Sequence, residues 1–311
     1  MNKSDLIYVS GHTGFVGSKV LSKLKNLGYS NIITKSHSEL DLMNSEDVFN
    51  FFKLESPKYV IHCAARVGGI KANIDFPAEF LYENLQIQNN VIWASKVTKV
   101  KKLLFLASAV VYPNDCPQPI KEGYFMKGEP DPTKTGYAYA KIAGVKLCEY
   151  INEEFGLNFI SCMPTNLYGE GDNFNPNSAH VIPALIQRMH NAKLTKAKQV
   201  EIWGSGNAKR EFLFIDDFID AIIWLMKNYN EKLFLNIGTG KDISMKELAE
   251  NIKKIVGYNG ELIFNKTKPE GMHRRLFDVS KINKLGWSYK IEIDQGLKRT
   301  YKWYLDSKNN I

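Results

Sequence analysis

The chain has 311 residues, 44% of them hydrophobic and 24% charged, a balance that fits a globular protein with a substantial core: one large domain with a smaller appendage. Its 41 Lys and Arg against 33 Asp and Glu give +8, but the basic residues are scattered, so a solvated surface with anionic-ligand sites is expected and a nucleic-acid partner is not. No stretch reaches the ~20 apolar residues needed to cross a bilayer, and the opening MNKSDLIYVSG holds only a four-residue apolar run, so no membrane partner is expected and a cytoplasmic location is.

Leu6-Ile7-Tyr8-Val9 is a short apolar run that stops at glycines, as a buried parallel strand does. Val16, Val20, Leu21, Leu24 and Leu27 follow at helical spacing, with Gly28 where a helix end favours it. Further buried strands are predicted over residues 31–34, 59–63, 103–107 and 159–163, with helical segments between them. Beyond Met163 the sequence turns rich in Pro, Gly and Asn, and a helix returns over Val181 to His190. A helix over Asp217 to Lys227 and a strand over Leu233 to Ile237 come next; Ser244 and Glu247 form a capping box ahead of a helix to Val256, and Asp294 to Leu305 reads as a last helix.

Strands alternating with helices predict an α/β fold with a doubly wound parallel sheet of the Rossmann type. Two interleaved domains are expected, residues 1–169 plus about 212–240 and about 170–211 plus 241–311, with a substrate cleft between them. Cys63, Cys116, Cys148 and Cys162 lack C-x-x-C spacing and are expected to be reduced thiols; no metal site is expected.

Gly11, Gly14 and Gly17 have the spacing that lets a backbone turn sharply and bring a pyrophosphate against helix N-terminal amides. The second strand ends in Thr34-Lys35-Ser36-His37 without the acidic residue that would hold the ribose hydroxyls of NAD. Lys35, Ser36 and His37 suit a 2′-phosphate instead, so NADPH is favoured over NADH. Ser108 follows a central strand, and Tyr137 and Lys141 lie one helical turn apart on a later segment. A phenol of ordinary pKa near ~10 is a poor acid, and Lys141 is expected to stabilise the phenolate while Ser108 hydrogen-bonds a substrate carbonyl. This serine, Y-x-x-x-K and glycine loop together resemble a short-chain dehydrogenase/reductase.

Longer motifs narrow the resemblance. Val67–Ile70 (VGGI), Gln118–Glu122 (QPIKE), Tyr137–Gly144 (YAYAKIAG), Met163–Gly169 (MPTNLYG), His180–Ile186 (HVIPALI), Trp203–Gly206 (WGSG) and Arg210–Leu213 (REFL) are similar, nearly end to end, to the GDP-L-fucose synthases among extended short-chain dehydrogenases. The resemblance implies that Thr13, Phe15, Val16, Asp41, Leu42, Ala64, Ala65, Leu106, Pro164, Asn166, Leu167, Lys141 and His180 border the dinucleotide. It implies that Asn166, Arg188, Trp203, Arg210 and Glu270 bind the GDP-sugar, arginines suiting a diphosphate and tryptophan a stacking face. It also implies a homodimer through the Tyr137 to Tyr150 helix and the Phe80 to Ser95 segment.

Three positions depart from the pattern. In the family a cysteine two residues after the serine works with a histidine in exchanging protons at sugar carbons 3 and 5; here Val110 stands at that place, while His180 is kept. Thr13 and His37 replace arginines usual near the 2′-phosphate. The expectation is therefore a reductase of the 4-keto group of a GDP-hexose or GDP-heptose, supplying surface polysaccharide, in which epimerisation has been lost and His180 holds the sugar. The alternatives are the intact bifunctional synthase, a nucleotide-sugar 4-epimerase that keeps NAD, a 4,6-dehydratase (for which Ala109-Val110 offers no acid), and a silent nucleotide-binding regulator.

Overall fold

The computed structural model describes residues 1–176, 178–268 and 272–309. Strand β1 (Ile7–Ser10) is buried along its length and leads through the glycines into α1 (Phe15–Asn26), which turns Val20 and Leu24 into the core. Gly28 ends that segment at φ +78°, a conformation costly for any residue with a Cβ. Then come β2 (Ile32–Ile33), α2 (Ser45–Glu55), β3 (Tyr59–His62), α3 (Ile70–Asp75), α4 (Pro77–Val97), β4 (Lys102–Leu106), α5 (Thr135–Phe155) and β5 (Phe159–Pro164). The Asn44 side chain caps α2 by accepting from the amides of Glu46 and Asp47, and Pro77 begins α4 where its missing N–H is harmless.

After β5 the chain crosses into β6 (Asn166–Tyr168), α6 (Val181–Leu194), β7 (Gln199–Trp203) and β8 (Lys209–Phe214), then returns through α7 (Ile215–Asn228) to β9 (Leu235–Ile237). The last part holds β10 (Asp242–Ser244), α8 (Met245–Val256), β11 (Glu261–Asn265), β12 (Arg274–Arg275), α9 (Ser280–Lys284) and α10 (Ile293–Asn309). The Ser244–Glu247 capping box forms as its spacing predicts.

A six-stranded parallel sheet runs β2-β1-β3-β4-β5-β9. Strands buried on both faces read as continuous Val, Ile, Leu and Phe, which is why β3 and β4 were legible as strands at all. The strand order reverses at β1 and β3, and a reversal of that kind opens a crevice at the carboxyl ends of the strands. A second sheet runs β10-β8-β12 with β6 on β8, and β11 pairs with β7. Only Thr165 separates β5 from β6, so one residue joins the large sheet to the small one; its N–H still bonds the Ile237 carbonyl.

Candidate active site

The glycine loop is a close-packed turn with no room for side chains at Gly11 and Gly17. Gly11 adopts φ +71°, and a Cβ there would press on the Ala64 backbone at 2.7 Å. A Cβ at Gly17 would collide with the Gly11 carbonyl. Gly14 is the N-cap of α1 and offers no side-chain cap, so the first amides of the helix are left for an anion. These features fit the dinucleotide that the sequence predicts. Ala64 and Ala65 line the loop after β3, where Ser10 Oγ lies 3.5 Å from the Ala64 N–H.

At the exit of β2 the arrangement is narrower than expected. The Ser36 amide and hydroxyl both donate to the Glu39 carboxylate, at 2.7 and 2.6 Å. Those bonds and the nearby Lys35 charge hold the Glu39 carboxyl below its usual pKa. Ser36 is thus engaged locally, and Lys35 is left as the stronger anion partner, with exposed His37 lying 3.7 Å from Asp41. Leu42 packs against the core, and its carbonyl accepts from the Asn90 side chain at 2.9 Å.

Ser108 lies two residues past β4 and starts the short 3-10 turn Ala109–Val111. Tyr137 and Lys141 share the inward face of α5 next to it. Burial raises the Tyr137 pKa and the Ser108 hydroxyl opposes that rise. Lys141 is buried; its Nζ donates to the Leu106 carbonyl at 2.9 Å and lies 4.6 Å from the Phe105 ring centre and 5.7 Å from that of Tyr137. Burial lowers its pKa to about 8, against opposing pulls from Cys63 and Cys162. In this structure the Lys141 Nζ rests on a carbonyl, and burial is the larger influence on Tyr137.

Val110 is buried in the turn beside Ser108. All four cysteines are free. Burial raises the Cys116 pKa despite nearby Arg275, pushes Cys63 and Cys148 up to about 12, and raises Cys162 as well.

His180 is the exposed N-cap residue of α6. Its pKa is lowered first by the protein around the imidazole and then by the Lys134 charge, so it is neutral at pH 7. Pro164 ends β5 and Leu167 lies within β6 on either side of the sheet junction, and the Asn166 amide donates to the Glu211 carbonyl at 2.8 Å. Exposed Arg188 donates to the Glu201 carbonyl at 2.7 Å, and Trp203, 55% exposed at the end of β7, has the Lys268 ammonium 5.7 Å from its ring centre. Glu270 lies outside the described residues.

Sequence reasoning missed two cations. Arg275 pairs in register with Arg210, so the two guanidinium groups share one face of β8 and β12. Its Nε and Nη2 are buried without a hydrogen-bond partner among the described residues. Lys134, three residues before Tyr137, lies near Arg275, Arg210 and His180; burial first and then Arg275 lower its pKa. The only signal was the dipeptide Arg274-Arg275, whose strand pairing no local pattern announces.

Residues 7–238 match the NAD dependent epimerase/dehydratase family. The chain belongs to that family. It is 48% identical over 307 residues to a probable GDP-L-fucose synthase of Oryza sativa subsp. japonica, with 98% of this chain and 94% of the relative covered. It is similar to a solved GDP-6-OMe-4-keto-L-xylo-heptose reductase from Campylobacter jejuni, at 38% identity, TM-score 0.94 and 99% of each chain. A GDP-mannoheptose C4 reductase of the same organism, solved with NADP bound, is 39% identical with TM-score 0.91 over 98% of this chain and 99% of that one. This member of the family therefore groups with GDP-sugar enzymes, and no helix among its described residues is long and apolar enough to cross a membrane.

Proposed function

We propose that the protein reduces the 4-keto group of a GDP-activated sugar with NADPH, preferring a 4-keto-heptose over a 4-keto-6-deoxyhexose, for surface polysaccharide synthesis, and that it does not epimerise carbons 3 and 5. The observation that supports this reading is the gathering of Ser108, Tyr137 and Lys141, with buried Val110 two residues after Ser108. NADPH, held by the loop from Gly11 to Gly17 and by Lys35, supplies the hydride when bound. Tyr137 donates its proton to the carbonyl oxygen, and Ser108 hydrogen-bonds that oxygen as charge develops on it. The Lys141 ammonium then stabilises the phenolate. Arg210, Arg275, Arg188 and Trp203 hold the GDP-sugar, and neutral His180 orients the sugar ring.

The Lys141 ammonium is lost as pH rises through about 8, so kcat is expected to decline above that pH. The reading includes a homodimer through the outward faces of α4 and α5. Trp93 and Tyr150 are 49% and 54% exposed there, beside a depression lined by Asn89, Ala143, Lys146 and Leu147. Gel filtration of Trp93→Glu should give a monomer.

The deciding experiment is NADPH-dependent turnover of a GDP-4-keto sugar in deuterium oxide, with the product examined by NMR. Reduction at carbon 4 without deuterium at carbons 3 and 5 is expected. Deuterium at either carbon would restore the bifunctional synthase and overturn the reading of Val110.

A further inference from the structure

Glu211 is fully buried, yet it faces away from the arginines that the sugar side needs. Along β8 successive side chains alternate faces, so Arg210 projects to one face and Glu211 to the other. Arg275 pairs with Arg210, and Asp242 of β10 pairs with Glu211, which places Asp242 on the Glu211 face. There Asp242 takes a salt bridge from Arg274, consistent with this alternation.

The Glu211 carboxylate accepts four hydrogen bonds from two other parts of the chain. Oε1 takes the amides of Thr239 and Gly240, at 2.5 and 2.8 Å, and the Thr239 hydroxyl at 3.3 Å. Oε2 takes the Phe277 amide at 2.8 Å, two residues beyond Arg275. Its main-chain carbonyl receives the Thr165 hydroxyl at 3.2 Å and the Asn166 side chain at 2.8 Å. One residue thus ties the exits of β5, β9 and β12 to β8. Gly238 adds a second mark of this fit, because a Cβ there would collide with the carboxylate.

We propose that Glu211 is a positioning residue for sugar-nucleotide binding: through the Phe277 amide it fixes where Arg275 stands beside Arg210. The proposal rests on the GDP-sugar reading of the cleft. The glycine loop lies on β1 and α1 and has no bond to Glu211, so dinucleotide binding should be spared. Without the carboxylate the amides of Thr239, Gly240 and Phe277 lose their partner, and β12 must shift to resatisfy them.

The test is calorimetric titration of the whole protein with GDP in the presence of NADP, and with NADPH alone, for wild type, Glu211→Gln and Gly238→Ala. Gly238→Ala keeps the carboxylate but displaces it, and it decides alone if Glu211→Gln does not fold. GDP affinity is expected to fall about tenfold in both variants with NADPH affinity within about twofold of wild type, and KM for the sugar nucleotide should rise by more than kcat falls. Unchanged GDP affinity in a folded variant overturns the proposal, and so does an equal loss of NADPH affinity, which would make Glu211 a general structural strut. A wild type that does not bind GDP removes the reading of the cleft itself and the proposal with it, whereas wild-type binding retained by the variants removes only the proposal.

Discussion

At the carboxyl ends of β1 and β3 the site consists largely of backbone: Gly11 at positive φ, Gly17 without room for a Cβ, and an α1 N-terminus with no side-chain cap. In the smaller sheet, β8 and β12 present side chains instead, with Arg210 and Arg275 in register, and Trp203 at the end of β7 is more than half exposed. A backbone site leaves its mark in a short, fixed spacing of glycines. A side-chain site assembles from residues 65 positions apart and leaves no local mark. The first kind tolerates almost no substitution at its turns, while the second loses affinity in increments as single contacts are removed.

The largest effect should fall between the two halves. Tyr137→Phe removes the proton donor and is expected to lower kcat by about a thousandfold, with binding of both ligands within about threefold of wild type in titrations. A comparable loss of NADPH affinity would show that the phenol belongs to the backbone half.

Gly17→Ala tests that half directly. Its Cβ would meet the Gly11 carbonyl, so NADPH affinity should fall by about a hundredfold or more in a fluorescence titration, with GDP affinity less affected. Equal tolerance of alanine at this turn would break the comparison.

His62 adds a pH signature to the large sheet. It is buried, 2.6 Å from Ser10 Oγ, and burial lowers its pKa to about 3, with the Lys141 charge adding to the shift. The unfolded chain binds the proton near the ordinary value of about 6.5 while the folded one does not, so stability is full above that pH and is lost as pH falls toward 3. Roughly 2 kcal/mol should be gone by pH 5, measured by urea unfolding at pH 7 and pH 5, and His62→Leu should flatten that dependence.

On the side-chain half, Arg275→Met keeps the packing and removes the charge, and should raise KM for the sugar nucleotide about tenfold with little change for NADPH. Trp203→Ala, at an exposed edge, should raise that KM only about threefold. A reversal of these two would move the weight of recognition from the diphosphate cations to the aromatic face.

Much of the large sheet was legible because strands buried on both faces are written as short apolar runs, as in residues 59–61 and 103–106. Ser108, Tyr137 and Lys141 were legible as a group because two of them lie on one helix and the third lies just past a strand. The state of Lys141 was not legible. Its resting bond to the Leu106 carbonyl depends on β4 passing beneath α5, and spacing along the helix says nothing of that contact. The engagement of Ser36 was not legible for a similar reason, since its turn folds back to give both of its donors to Glu39.

The sequence by itself determined the glycine turn and the alternation of strands and helices in the large sheet, because each is a local pattern of conformational freedom, burial or spacing. Only the tertiary structure decided that Arg275 joins Arg210, that Lys134 stands beside His180, and that Glu211 ties β12 to the ends of β5 and β9. Those are matters of register between distant strands, fixed by which backbone amides and carbonyls find partners once the core has closed.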